Sequence, residues 1–388
     1  MSRVLVIVPS STYRAADFLA AAHDLGTEVV IGSDVRQTLA ASMGDRAAVL
    51  ALDDVEGSVR VIEELHRRHP LDAVLAVDDV GTRVAAAAAA RLGFAHNPPD
   101  AVARTQDKLA MRRAFATAGV PQPVFAPDHP VRLPVVVKPT GASASRGVIR
   151  ADSGAERDAA IERVARITDG GIIVEEYVPG DEIALEGLLE RGRLGVLAIF
   201  DKPDPLVGPY FEETIYVTPT RLPPATVARV SAIVARATEA LGLSEGPIHA
   251  ELRIDGDRIA VLEIAARSIG GLCARTLRFG AGISLEAVIL AHALGRPLDD
   301  LRREQDAAGV MMLPIPRAGT LSAIAGQDAA RAVPSIIGLE ITIPIGRAVA
   351  PLPEGDRYLG FLFARAATPE AVEAAMRAGY AQLDIVVT

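Results

Sequence analysis

The sequence predicts an α/β domain followed by a larger α+β region, and three observations carry that reading. Over residues 1–100, short apolar runs alternate with helix-patterned stretches. Beyond them, hairpin signals replace the alternation. A Pro-rich break, HNPPDA at 96–101, separates the two regimes. RVLVIV (3–8) is a short apolar run bounded by Pro9 and Ser10 and reads as a buried parallel strand. AADFLAAAHDLG (15–26) is helical and stops at Gly26. EVVIGSD (28–34) and LDAVLAVDD (71–79) are further strands; VEGSVRVIEELHRRHP (55–70) and GTRVAAAAAARLG (81–93) are further helices. Strand–helix alternation implies right-handed βαβ units and a doubly wound sheet. The six alanines at 85–90 fit a helix packed closely on a sheet.

Beyond the break, a helix is expected at 105–119, strands at 135–138, 146–150 and 172–177, and a helix near 155–168. Residues 183–199 alternate about Arg191-Gly192 like a hairpin, and 225–242 form an amphipathic helix. HAELRIDGDRIAVLEIAAR (249–267) is two strands joined at Asp255-Gly256, a strong hairpin signal. Helices near 284–294 and 368–379 complete the pattern, with no internal repeat.

Bulk properties bound the function. The 388 residues suffice for two to four domains. A net charge of −9 without a basic block argues against nucleic acid as a partner. The single cysteine, Cys273, excludes an intramolecular disulfide, fits a reducing compartment and reads as a small buried hydrophobe. MSRVLVIVPSS lacks signal-peptide features and no apolar run reaches ~18 residues, so a cytoplasmic protein without membrane contact is expected.

Three stretches carry chemistry. In the 249–267 hairpin, Glu251 and Glu263 lie on facing strands, with Arg267 near the end; His249 should share the Glu251 face. Facing carboxylates suit a hard cation such as Mg²⁺, although two solvated strand charges would look the same. VVVKPTGASASRGV (135–148) ends an apolar strand on Lys138 and runs into a loop of small residues that includes Ser143 and Ser145. A lysine at a buried strand end needs a partner, and backbone N–H groups of such a loop can approach phosphate closely. IIVEEYVPGDEI (172–183) ends a strand in Glu175-Glu176-Tyr177-Val178, then turns at Pro179-Gly180 before Glu182. Lys108 begins a helix after Asp107.

In this order the pieces resemble the ATP-grasp superfamily, over the whole chain, with a Rossmann-like first domain. The resemblance implies domains at 1–100, 101–183 (small subdomain with the phosphate loop), 184–304 (large subdomain) and 305–388 (completing the large lobe). It implies that Lys108 and Lys138 contact ATP phosphates under the Ser143/Ser145 loop, which acts as a lid. Glu175 to Val178 would border the nucleotide, with Glu175 and Val178 flanking adenine and Glu182 on the ribose. Glu251 and Glu263 would bind Mg²⁺, with Mn²⁺ an alternative, and Arg267 and Lys138 would stabilise the transferred phosphoryl group. Ala265 stands where most members carry Asn, and a water can take that ligand position. EIAARSIGGLCARTLRFGAGISLEAVIL (263–290) is most similar to the L-amino-acid ligase branch, including dipeptide synthetases and carnosine-synthase-like enzymes. PYFEETIYVTP (209–219) resembles its amino-acid-binding segment, which makes Glu213, with Glu212 second, the candidate for the substrate ammonium. Arg275 or Arg278 is a candidate for the acceptor carboxylate, and Tyr358 to Phe361 for the acceptor pocket.

The activity implied is an ADP-forming ligase joining a small carboxylic acid to an amine through an acyl-phosphate, with small-molecule partners; a homodimer is a possible assembly. The alternatives are a bicarbonate-dependent carboxylase of the same superfamily and a non-catalytic ATP-binding regulator.

Overall fold

In a computed structural model, residues 2–10, 12–36, 46–298 and 300–388 are described. The first domain is a parallel sheet in the order Ala47–Val49, Glu28–Ser33, Arg3–Ile7, Ala73–Ala76. Alternation sends Val4, Val6 and Val8 to one face, with Phe18, Ala21 and Ala22 of helix Ala15–Asp24. Leu5 and Ile7 go to the other, with helices Val55–Arg68 and Asp79–Leu92. The sheet is therefore covered on both sides, as the pattern predicts. Ala85, Ala86, Ala88 and Ala89 are fully buried. A Cβ on Gly81 would come within 2.8 Å of Ile7, so small residues set the helix–strand spacing.

The helix expected at 105–119 is Lys108–Ala118, and a short helix that the sequence reading does not include, Pro99–Thr105, precedes it. Asp107 separates them. Its carboxylate accepts from the N–H groups of Leu109 and Ala110, so Lys108 opens the second helix. Both helices pack with Pro224–Leu241 into the core of the large lobe, although the domain division groups them with the small subdomain.

The small subdomain is an antiparallel sheet in the order Phe125–Ala126, Ile172–Glu176, Val135–Pro139, Ile149–Ala151, covered by helix Gly154–Ile167. The last strand starts three residues later than the sequence suggests. Ala144 and Ser145, both at φ 55°, and Gly147 at φ 72° are left-handed, which no strand accommodates. The large lobe is one eight-stranded sheet ordered Arg258–Ala265, Gly246–Asp255, Asp181–Glu190, Arg193–Asp201, Ile215–Thr218, Ala307–Leu313, Gly360–Ala366, Ile336–Ile341. It runs straight across the expected boundary at 304/305. No described helix is long and apolar enough to cross a membrane.

Candidate functional site

A cavity of about 390 Å³ lies where the first domain, both subdomains and the C-terminal segment meet. Most of the site residues expected from the sequence border it: both lysines, Ser143, Ser145, Glu175 to Val178, Glu182, Glu213, Glu251, Glu263 and Arg267.

The large sheet builds its floor. Glu251 and Glu263 are direct cross-strand partners, and the register shifts just after Glu251. His249, Glu251 and Arg253 alternate onto one face; Glu186 and Glu182 on the next strand stand opposite His249 and Arg253. Lys202, at the end of a third strand, donates to Glu182 at 2.7 Å, to Glu213, and to Glu251 at 3.5 Å. Oxygens of Glu182, Glu213 and Glu251 lie within 4.8 Å of one another. This all-oxygen set fits a divalent cation, and the Lys202 ammonium bonded to all three shows that the fold stabilises positive charge there. The acidic set thus differs from the Glu251/Glu263 pair expected, because Glu263 pairs with Lys108 at 3.3 Å. Burial raises the Glu213 carboxyl pKa despite Lys202. Burial acts likewise on Glu251, but Lys202 and His249 outweigh it and hold that group well below the usual carboxylate range.

The small subdomain supplies the roof. Glu175 stands opposite Val136, which makes Lys138 its diagonal neighbour on the same face. Lys138 meets Glu175 at 2.6 Å, and Arg112 clamps the same carboxylate at 2.8 and 3.2 Å. Arg112 lies one turn after Lys108 on a shared helix face. Burial opposes the Glu175 charge, yet the two cations hold its pKa at about 2. Glu176 pairs with Arg258 at 2.7 Å, and Glu182 is shared between Lys202 and Arg253. The hinge expectation is amended accordingly: the carboxylates of Glu175, Glu176 and Glu182 all meet protein cations, and the Val178 carbonyl accepts from Arg253. Lys108 donates to the Ala142 carbonyl at 2.6 Å, tying the small-residue loop after Pro139 to the helix that Lys108 opens.

The first domain forms a wall. Pro9-Ser10 and Asp78-Asp79 follow strand ends, where ligands bind in open α/β sheets. Asp79 lines the cavity and accepts from Arg267 at 2.8 Å, whereas Ser11 lies outside the described residues. Cys273 is buried, and burial raises its thiol pKa, as expected of a packing residue. Glu212, Arg275 and Arg278 are not among the lining residues; Arg275 instead pairs with Asp17 and Glu340.

Lys202, Glu186, Arg112 and Arg14 escaped sequence reasoning. Lys202 left a signal: IFDKP (199–203) ends an apolar strand on Lys-Pro as VVVKP (135–139) does. Glu186 binds His249 and accepts from the Ile269 N–H at 3.0 Å. Burial disfavours the His249 cation, but Glu186 and Glu251 raise its pKa to about 9. A raised histidine pKa stabilises the fold fully below its ordinary value of 6.5, and that stabilisation is lost as pH climbs through 9. The shift corresponds to about 3 kcal/mol. Between pH 6 and 10, the unfolding midpoint of the wild type should fall relative to His249→Gln; parallel curves would contradict this.

Three family models match the chain: the ATP-grasp N-terminal domain at residues 19–96, the ATP-grasp domain at 131–276, and the L-amino acid ligase C-terminal domain 2 at 311–388. A D-alanine–D-alanine ligase of Ralstonia pickettii is 28% identical over 219 residues, 51% of this chain and 66% of the relative. An alanine–anticapsin ligase of Bacillus subtilis is 26% identical over 267 residues, 59% of this chain and 56% of the relative. These alignments span about half to two thirds of the curated relatives' length. Among solved structures, an L-amino acid ligase from Bacillus licheniformis matches with a TM-score of 0.86 at 25% identity, covering 100% of this chain and 99% of that one. An N5-carboxyaminoimidazole ribonucleotide synthetase from Thermotoga maritima reaches 0.73 at 15% identity with 100% of each chain covered, a likeness of fold alone.

Proposed function

The chain belongs to the L-amino acid ligase branch of the ATP-grasp superfamily, and we propose that it is an ADP-forming ligase that joins an amino acid, or a similar small carboxylic acid, to an amine. The observation that carries this reading is the composition of one cavity. Phosphate-suited Lys108 and Lys138, cation-suited carboxylates, Arg267, and Tyr358 and Phe361 of the segment matching the ligase C-terminal domain all face it.

In this reading Lys108, Lys138 and the Ser143/Ser145 loop hold the ATP phosphates. Glu251, with Glu182, Glu213 and Glu263 nearby, would hold Mg²⁺, which when bound neutralises phosphate charge. A substrate carboxylate oxygen attacks the γ-phosphorus; ADP leaves and an acyl-phosphate forms. Arg267 faces the charge that builds on the transferring phosphoryl group. The amine then attacks the acyl carbon, loses a proton and expels phosphate, leaving an amide. In the same reading Glu213, whose carboxyl pKa burial raises, holds the substrate ammonium or receives that proton. No enzyme nucleophile is needed, in keeping with the buried Cys273.

The test incubates the protein with ATP and Mg²⁺ across amino-acid pairs and bicarbonate. ADP and phosphate, formed one-for-one with an amide and only when carboxylate and amine are both present, are the expected result. AMP and pyrophosphate, or turnover that follows bicarbonate alone, would overturn it.

A further inference from the structure

The cations lining the cavity differ in how far they are committed. Lys108 holds Glu263, Lys138 holds Glu175, His249 holds Glu186, Arg253 holds Glu182 and Arg267 holds Asp79. Arg357 is the exception among the described lining residues. Its ion-pair partner is its neighbour Asp356, at 3.8 Å and beyond hydrogen-bonding range. It stands beside an apolar wall. The chain has six tyrosines and no tryptophan, yet Tyr13, Tyr177, Tyr216 and Tyr358 all line this cavity. Tyr13 and Tyr358 meet the Phe361 ring edge-on at 5.7 and 6.3 Å. A Cβ on Gly271, at φ 58°, would lie 2.7 Å from that ring, so glycine there lets the loop and the ring share the wall. Burial raises the Tyr13 hydroxyl pKa and Arg357 opposes the rise, which puts the guanidinium within electrostatic reach of the same wall.

We propose that Arg357 anchors the carboxylate of the amine-bearing substrate, and that Tyr13 and Tyr358, backed by the fully buried Phe361 ring, select an amino acid with an aromatic or large aliphatic side chain. This rests on the ligase reading. The two substrate carboxylates have different needs. The one that attacks phosphorus must keep its lone pairs free, and an arginine ion pair would blunt them. The acceptor carries its carboxylate unchanged through the reaction, so a planar two-pronged partner orients it at no chemical cost. An apolar wall with one charged group at its rim is also how small-molecule pockets combine affinity with orientation.

Binding, rather than turnover, tests the assignment. The full chain, loaded with Mg²⁺ and a non-hydrolysable ATP analogue, is titrated calorimetrically with L-phenylalanine, L-phenylalaninamide and glycine. L-Phenylalanine should bind at least tenfold more tightly than either of the other two. Arg357→Gln should erase the acid-over-amide preference while leaving nucleotide affinity unchanged, and Tyr358→Ala should erase the preference over glycine. Equal binding of acid and amide by the wild type, or a preference that survives Arg357→Gln, would overturn the proposal. Those outcomes are distinct from failure of the ligase reading, which shows as absence of ADP formation whatever binds.

Discussion

Replacing Arg267 with lysine is expected to lower turnover a hundred- to a thousandfold while nucleotide affinity stays within about threefold. Removing one preorganised donor aimed at developing charge costs on this scale. Lysine keeps the charge but loses the fork. The Arg267 guanidinium is partly exposed to the cavity and held by Asp79 at 2.8 Å and by the Ser268 carbonyl at 3.0 Å. A lysine ammonium has no fixed geometry with which to hold both and still face a phosphoryl group. Single-turnover ADP formation, measured beside nucleotide binding, separates the effects. Equal losses in both would mean that Arg267 serves ground-state binding only.

On the proposed mechanism, the same arginine would give the first domain a role in the chemistry. Asp79 is one of its contributions and Arg14 the other. Arg14 is fully buried, donates to Ser268 Oγ at 2.9 Å and to the Ile269 carbonyl at 3.1 Å, and pairs with buried Glu286 at 2.9 Å. The Ile269 N–H is held from the opposite side by Glu186. The strap from Arg267 to Ile269 is thus fixed at the side chain, hydroxyl, N–H and carbonyl by groups from two domains. Asp79→Asn should weaken one of these contacts while the others keep the strap in place. It should reduce kcat about tenfold with little change in KM for ATP; a change confined to KM would contradict the positioning role.

How much of this was legible in the sequence depends on the range of the interaction. Local patterns were readable: alternation marked the first sheet, Asp255-Gly256 marked the hairpin that opposes Glu251 and Glu263, and a strand ending on Lys138 marked one wall of the cavity. What failed was information that arises only on folding. Arg14 and Glu286 are 272 positions apart, and each looks like an ordinary surface charge until the pair is buried. The left-handed residues at Ala144 and Ser145 carry no glycine signature, so the strand after the loop was drawn too early. The expected division at 304/305 came with the resemblance, which has 305–388 completing the large lobe; only the strand pairing shows how, as Ile215–Thr218 pairs with Ala307–Leu313 across it. The hinge glutamates show a third kind of limit. Their motif was visible, but only the register of the Ile172–Glu176 strand beside Val135–Pro139 shows that Glu175 faces inward.

Glu175→Gln follows from that register and is expected to destabilise the protein by about 3–5 kcal/mol. Removing one member of a buried ion cluster leaves the other charges uncompensated. Arg112 and Lys138 would both lose their carboxylate, and one guanidinium nitrogen of Arg112, Nη1, already lacks a partner. The wild type should show the same dependence through pH. The carboxyl is lowered from 4.5 to about 2, so its stabilisation is complete above 4.5 and is lost as pH falls toward 2. The shift is worth about 3 kcal/mol. Urea unfolding of wild type and variant at pH 7 and pH 2.5 provides the check, with the gap between them wide at pH 7 and mostly closed at pH 2.5. A gap unchanged with pH would mean that the loss comes from packing rather than charge. The double variant Glu175→Met with Arg112→Met then decides between them. Restored stability without restored turnover would show that the cluster holds Lys138 for the nucleotide at a cost the fold does not otherwise require.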